Sequence, residues 1–158
     1  MPDARYYARL IRDKRVFLCG NGGSAANAIH VANDLVGCGV SATPLCADIA
    51  TLTAIANDFG YEQVFAKQIQ THGRADDVLI SFSGSGKSPN IIEAIRRAKI
   101  RYMTTISLTG EFTTKNTVAE MSHYSLRVGR DMQKAENYQL VWGHSVMKAL
   151  QWLQKKTS

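Results

Sequence analysis

Two short segments constrain most of what this chain can fold into. The first reads Val16-Phe17-Leu18-Cys19-Gly20-Asn21-Gly22-Gly23-Ser24-Ala25-Ala26-Asn27, the second Ser81-Phe82-Ser83-Gly84-Ser85-Gly86-Lys87-Ser88-Pro89-Asn90. Each passes from strand-like apolar residues through glycine and serine into a helical pattern. Glycine lets the backbone approach a ligand closely and take positive φ. Ser24 and Ser88 are placed to cap the helices that follow, and Pro89 suits a first helical position. The free N–H groups of a helix start favour an anion. Ser83, Ser85 and Ser88 add three hydroxyls that can surround a phosphate without a metal, and Asn21 and Ser24 add side-chain donors.

The rest of the chain repeats this alternation. Strand-like runs lie at Val16–Cys19, Thr43–Cys46, Val78–Phe82, Met103–Leu108 and Tyr124–Val128. Helical patterns lie between them, at Ser24–Val36, Thr51–Ala56, Tyr61–Thr71 and Pro89–Ala98, and a last one runs from about Ala135 to Gln154. Continuous apolar strands alternating with helices predict an α/β fold with a parallel sheet covered on both faces. Ligands of such sheets bind beyond the carboxyl ends of the strands. The turns after the first and third strands are therefore where chemistry is expected.

A length of 158 residues suits one domain, and 45% hydrophobic residues supply a core, which excludes disorder as the main state. No apolar run approaches the roughly 20 residues that span a bilayer. The charged opening Met1-Pro2-Asp3-Ala4-Arg5 has no apolar run behind it and argues against a secretory signal. Cys19, Cys38 and Cys46 are odd in number and lack a C-x-x-C spacing, so a cytoplasmic location is expected rather than a disulfide framework. The net charge of +6 suits anionic partners. Its two clusters, Arg5 to Arg15 and Arg96 to Arg101, read first as solvated helix faces. No aromatic residue interleaves with the second, so nucleic acid is not expected.

Gly86-Lys87-Ser88 looks like the tail of a nucleotide P-loop. That motif needs a glycine five places before Gly86, where Ser81 stands, and Pro89 interrupts the helix that should continue. ATP or GTP hydrolysis is set aside on those grounds.

A second constellation carries acid–base potential. His30 and Asp34 are four apart on the first long helix and share a face, which suits a divalent metal, proton transfer, or a plain surface hydrogen bond. His144 lies in the last helix with Leu140 and Met147 at helical spacing, beside a second apolar stripe of Gly143, Val146, Leu150 and Leu153. A helix apolar on two stripes is buried in the core or between subunits, and a histidine there reads first as a core residue. Glu136 stands eight residues before it, about 12 Å along an ideal helix.

Taken together these residues resemble the SIS (sugar isomerase) domain family, and within it the phosphoheptose isomerase branch. The likeness runs from about Val16 to Leu153. Its marks are Gly20-Asn21-Gly22-Gly23-Ser24, Ala56-Asn57-Asp58-Phe59-Gly60, Ser83-Gly84-Ser85-Gly86-Lys87-Ser88, Leu108-Thr109-Gly110, and Glu136 followed by Gly143-His144. The resemblance implies a three-layer, doubly wound, flavodoxin-like sheet of five parallel strands. It implies a homo-oligomer, tetramer or dimer, with sites at subunit boundaries. The implied reaction is aldose–ketose isomerisation of sedoheptulose 7-phosphate to D-glycero-D-manno-heptose 7-phosphate, by proton transfer through an enediol.

Carried over by position, the resemblance makes Asp34 and His144 the catalytic pair. The substrate would meet Asn21, Gly22, Gly23, Ser24, Asn57, Asp58 and Gln133, with its phosphate on Ser83, Gly84, Ser85 and Ser88. Zinc, which some members hold, would sit among His30, Asp34, Glu136 and His144. The chain departs from the family at Glu136, which stands where the family has a Gln, and at four further positions. Asp34 replaces a Glu, Gly84 a hydroxyl residue, Lys87 an Asn, and Gln133 an Asp. About fifteen residues precede Val16, so the family's long N-terminal helix is expected to be shortened. A non-enzymatic branch, a replication-initiation regulator that binds DnaA, resembles Thr53-Ala54-Ile55-Ala56-Asn57-Asp58 closely. It lacks the second histidine and the helix-one carboxylate, both present here, which favours an enzyme.

Overall fold

The computed structural model describes residues 3–112 and 114–157, so Met1 and Pro2 of the charged opening lie outside it. In chain order the elements are α1 (Ala4–Ile11), β1 (Arg15–Cys19), α2 (Gly23–Gly37), β2 (Ser41–Pro44) and α3 (Ile49–Phe59). A 3-10 turn at Tyr61–Gln63 leads to α4 (Ala66–His72), β3 (Val78–Ser83), α5 (Pro89–Ile100) and β4 (Thr104–Thr109). The chain ends with α6 (Thr117–Met121), β5 (Tyr124–Arg127) and α7 (Met132–Thr157).

All four strand pairings are parallel, in the order β2-β1-β3-β4-β5. This is the flavodoxin-like order expected from the sequence. Alternate strand residues face opposite sides. Val16, Leu18, Val78, Ile80, Phe82, Ile106 and Leu108 pack with α1, α2 and α7. Phe17, Cys19 and Leu79 pack with α4, α5 and Val118 of α6. The central strands β1, β3 and β4 are thus buried on both sides, whereas the edge strands β2 and β5 are partly exposed.

The winding reverses between β1 and β3, where Cys19 lies beside Ser81. Both serine and glycine turns leave the sheet at this switch point. In a doubly wound sheet this is where a crevice opens.

Several boundaries differ from expectation. β2 lies at Ser41–Pro44 rather than Thr43–Cys46. Pro44 has no N–H for the ladder, and the chain turns away after the Leu45 N–H donates to the Leu18 carbonyl at 2.8 Å. The helix expected over Tyr61–Thr71 divides into the 3-10 turn and α4. Ser24 does not cap α2. Gly22, with φ +55, holds the cap position, and Ser24 lies inside the helix. At α5, Ser88 occupies the cap position and Pro89 the first turn, as the sequence suggests, but the Ser88 side chain makes no capping bond. α1 and α6 escape a periodicity reading because they are only 8 and 5 residues long. No described helix is long and apolar enough to cross a membrane.

Candidate functional site

The two turns enclose a hollow of about 110 Å³. Asn21 and Ser24 line it from the first turn, Ser83, Gly84, Ser85 and Ser88 from the second, and Met132 and Glu136 from α7. The second turn is shaped by Gly86 at φ +65, a conformation that a side chain would strain. Asn116 packs where a Cβ would stand. The Gly86 N–H donates to Ser83 Oγ at 3.2 Å and the Lys87 N–H to Ser85 Oγ at 3.3 Å. Ser83 Oγ and Ser88 Oγ lie 3.4 Å apart. A hydroxyl whose oxygen accepts from the backbone keeps its proton for a ligand, so Ser83 and Ser85 are set up as donors to an anion.

Volume alone does not choose this place. A hollow of about 610 Å³ lies by Lys99, Tyr102 and His123, and one of about 500 Å³ by Glu111, Arg130 and Lys134. In the first, Lys99 Nζ already donates to the Met121 carbonyl and His123 Nδ1 accepts from the Thr105 N–H. In the second, Lys134 Nζ pairs with Asp131 at 2.9 Å. Neither sits at the switch point.

A second centre forms where α2 crosses α7. His30 and Asp34, one helical turn apart, meet His144. The two histidine Nε2 atoms are 3.1 Å apart, and Asp34 Oδ2 lies 3.5 Å from the first and 3.6 Å from the second. Asp34 Oδ2 is buried and has no hydrogen-bond partner. Two imidazole nitrogens and an unpartnered carboxylate oxygen, all within 4.8 Å of one another, fit a divalent cation. His144 is not a core residue: its side chain is 42% exposed at the edge of the apolar stripe, next to His30 at 50%. Gly143 permits the approach, since a Cβ there would overlap Val31 Cγ2 of α2.

Glu136 stands apart from this centre. Its carboxylate packs over Gly23 at the start of α2, inside the serine-lined hollow, so the structure brings together three of the four expected metal ligands. The eight-position offset between Glu136 and His144, about 12 Å of helix, accounts for the separation. Asn57 and Asp58 are exposed on α3 and pair with each other at 2.9 Å, outside the hollow. Gln133 and Lys87 are also exposed, and neither lines the hollow.

Three buried or half-buried amides were not legible as site residues. Asn90 exchanges two hydrogen bonds with Asn21, at 2.8 and 2.9 Å, and the Tyr61 hydroxyl meets the same Asn21 oxygen at 3.1 Å. Gln139 Oε1 accepts from Ser24 Oγ at 3.0 Å and from Asn27 Nδ2 at 3.2 Å. The only cue in the sequence is a polar residue where the apolar period calls for a core position. Burial pushes the Cys19 and Cys46 thiols up from their ordinary value, so neither is a nucleophile at neutral pH.

Fold and site together define a doubly wound α/β protein with a serine-lined hollow at its switch point and a His–Asp–His centre beside it. The SIS domain pattern matches residues 5–110. A phosphoheptose isomerase of Burkholderia pseudomallei (strain 1710b) is 42% identical over 146 residues, covering 88% of this chain and 73% of that protein. The solved phosphoheptose isomerase GmhA of Neisseria gonorrhoeae superposes with a TM-score of 0.86 at 35% identity, over 94% of this chain and 82% of that one. The phosphoheptose isomerase of Francisella tularensis gives 0.87 at 28% identity, over 96% and 86%. The chain belongs to the SIS domain family.

Proposed function

We propose that this chain is an aldose–ketose isomerase that interconverts sedoheptulose 7-phosphate and D-glycero-D-manno-heptose 7-phosphate. The observation that carries this reading is the convergence of His30, Asp34 and His144 at a set reach from the serine turn. The seven residues from Gly23 to His30 rise about 10 Å. An extended heptose phosphate spans roughly 10 Å from C1 to phosphorus, eight bonds at about 1.3 Å of advance each. The similarity to proteins named phosphoheptose isomerase supports the same substrate.

With the phosphate on Ser83, Ser85 and Ser88, the C1–C2 end reaches the His–Asp–His centre. The C2 carbonyl acidifies the C1 hydrogens. Asp34 takes a proton from C1, the electron pair forms the C1–C2 double bond, and the carbonyl oxygen takes a proton from His144. The enediol then loses the O1 proton to His144 and receives the proton from Asp34 at C2, leaving an aldehyde at C1. Atoms and electrons balance, as isomerisation requires. Each acid–base group typically contributes about 10²–10⁴ in rate. The same His30, Asp34 and His144 atoms would hold a divalent cation, zinc by its ligand preference, when one is bound; it would then polarise the carbonyl and stabilise the enediolate in place of the His144 proton.

We further infer a homo-oligomer. α3 carries no buried residue, and Ile49, Phe59 and Tyr61 are exposed along it and the turn behind it. A second copy covering this face would bring Asn57 and Asp58 into a shared site. The three cysteines are free, which suits the cytoplasm.

His144→Asn tests the catalytic reading. It keeps a polar group of similar reach and removes the titratable ring. Turnover should fall about 10²-fold or more, with sugar-phosphate affinity and melting temperature nearly intact. Unchanged turnover per folded molecule, with a lowered melting temperature, would make His144 a packing residue and defeat the reading.

A further inference from the structure

The hydroxyls of the hollow are not equivalent, and the difference traces to a chain of fixed amides between α2 and α7. Asn27 Nδ2 donates to the Glu136 backbone carbonyl at 2.9 Å. A carbonyl only accepts, so this bond sets which end of the Asn27 amide faces α7. The same Nδ2 donates to Gln139 Oε1 at 3.2 Å, which sets the Gln139 amide in turn. Ser24 Oγ stands 3.0 Å from that same oxygen. Gln139 Oε1 has no proton to give, so the Ser24 hydroxyl must donate to it. Gln139 is fully buried and Ser24 is 3% exposed, so water does not compete for the bond.

We propose that Gln139 is a positioning residue that commits the Ser24 proton to the protein interior, so that Ser24 meets the ligand as a hydrogen-bond acceptor. The phosphate of a sugar monoester, whose second pKa is about 6, is mostly a dianion at neutral pH and offers almost no donor. A sugar hydroxyl does. Ser24 is therefore matched to a carbon-borne hydroxyl, while Ser83 and Ser85, whose oxygens accept from backbone N–H groups, are matched to the phosphate. If Ser24 turned its proton to a phosphate, its oxygen and Gln139 Oε1 would face each other at 3.0 Å with no proton between them. The hollow thus reads its ligand by polarity: donors at the second turn and an acceptor at the first. The inference rests on the phosphosugar reading above and names the residue that orients the substrate in it.

The test measures binding of two probes, sedoheptulose 7-phosphate and methyl phosphate, by calorimetry. Ser24→Ala should weaken the sugar phosphate two- to ten-fold, the range for one neutral hydrogen bond, and leave methyl phosphate, a donor-free dianion, unchanged. Gln139→Met, of similar volume, should weaken the sugar phosphate by a like factor. The double variant should lose no more than either alone, because both remove one coupled interaction. Equal weakening of both probes by Ser24→Ala would place the phosphate on Ser24 and overturn the proposal. So would additive losses, or a Gln139→Met protein that binds both probes as the wild type does. Ser24→Ala, a small change inside a helix, decides the polarity question even if Gln139→Met does not fold. Wild-type protein that binds methyl phosphate but not the sugar phosphate would fail the parent reading instead, a distinct result that removes this one with it.

Discussion

Gly143→Ala is a one-carbon change whose effect can be worked from the contact between α2 and α7. A Cβ at position 143 would overlap Val31 Cγ2 and sit 3.2 Å from Cγ1 and 3.4 Å from Cβ. Carbon pairs prefer about 3.5–4.0 Å. Val31 is fully buried and β-branched, so it has no other comfortable rotamer in a helix. The helices must then part by about 1 Å at the neighbour of His144. Overpacking costs about 1–3 kcal/mol, and replacing glycine by alanine within a helix returns up to about 1 kcal/mol. The difference, a net loss of up to about 2 kcal/mol, corresponds to a melting temperature lower by up to roughly 8 °C. The larger effect is expected in catalysis, because a displacement of about 1 Å can cost about 10²-fold in rate. Calorimetric melting and turnover of sedoheptulose 7-phosphate, measured on one preparation, read both quantities. Adding Val31→Ala should restore much of each. A Gly143→Ala protein that melts higher and turns over normally would refute the claim that close helix packing holds the centre together.

Other outcomes follow from the same geometry. Asp34→Asn should lower turnover by about 10²–10⁴ and reduce zinc retained after purification without chelator, measured by elemental analysis. Equal, near-zero zinc in wild type and variant would remove the metal from the account. Ser85→Ala with Ser88→Ala should weaken inorganic phosphate binding by more than one neutral hydrogen bond, about 0.5–1.5 kcal/mol, and unchanged calorimetric affinity would move the phosphate elsewhere. Asp48 caps α3, and its hydrogen bonds from the Thr51 hydroxyl and backbone hold its carboxyl below the ordinary value of 3.8. Its contribution is present above the unfolded value and is lost as pH falls through the folded one. The stability gap between wild type and Asp48→Ala should therefore close on acidification below the ordinary carboxylate range, and a gap that stays constant there would count against the capping bond.

The middle of the sheet is legible because its central strands are buried on both faces: Val78 through Ser83 are all buried, and the run opens with the unbroken apolar Val78-Leu79-Ile80. The two glycine turns then placed the crevice, since glycine and serine after a buried strand leave few alternatives. β2 was misplaced by two residues because Ser41-Ala42-Thr43-Pro44 is an edge strand with a mixed pattern and a proline at its end. The pairing of His30 with Asp34 was readable from spacing, whereas their meeting with His144, 114 residues away from His30, depends on how α2 packs on α7. Glu136 was assigned to the metal set by resemblance alone, and side-chain direction separates it: it points to Gly23 rather than along the helix to His144. Gln139 was invisible for the opposite reason. Its role depends on two partners, Ser24 and Asn27, that only the folded α2–α7 seam brings within reach.

The central claim is that the His30–Asp34–His144 centre and the serine turn act on one phosphorylated sugar. The most direct measurement is incubation of the protein with sedoheptulose 7-phosphate, with and without added zinc, following the ketose by NMR. The account predicts loss of ketose signals and growth of an aldoheptose 7-phosphate, with the reaction slowed about 10²–10⁴-fold in Asp34→Asn while binding persists. Full binding of the sugar phosphate by the wild type, with no conversion under either condition, would contradict it and leave a phosphosugar-binding regulator in its place.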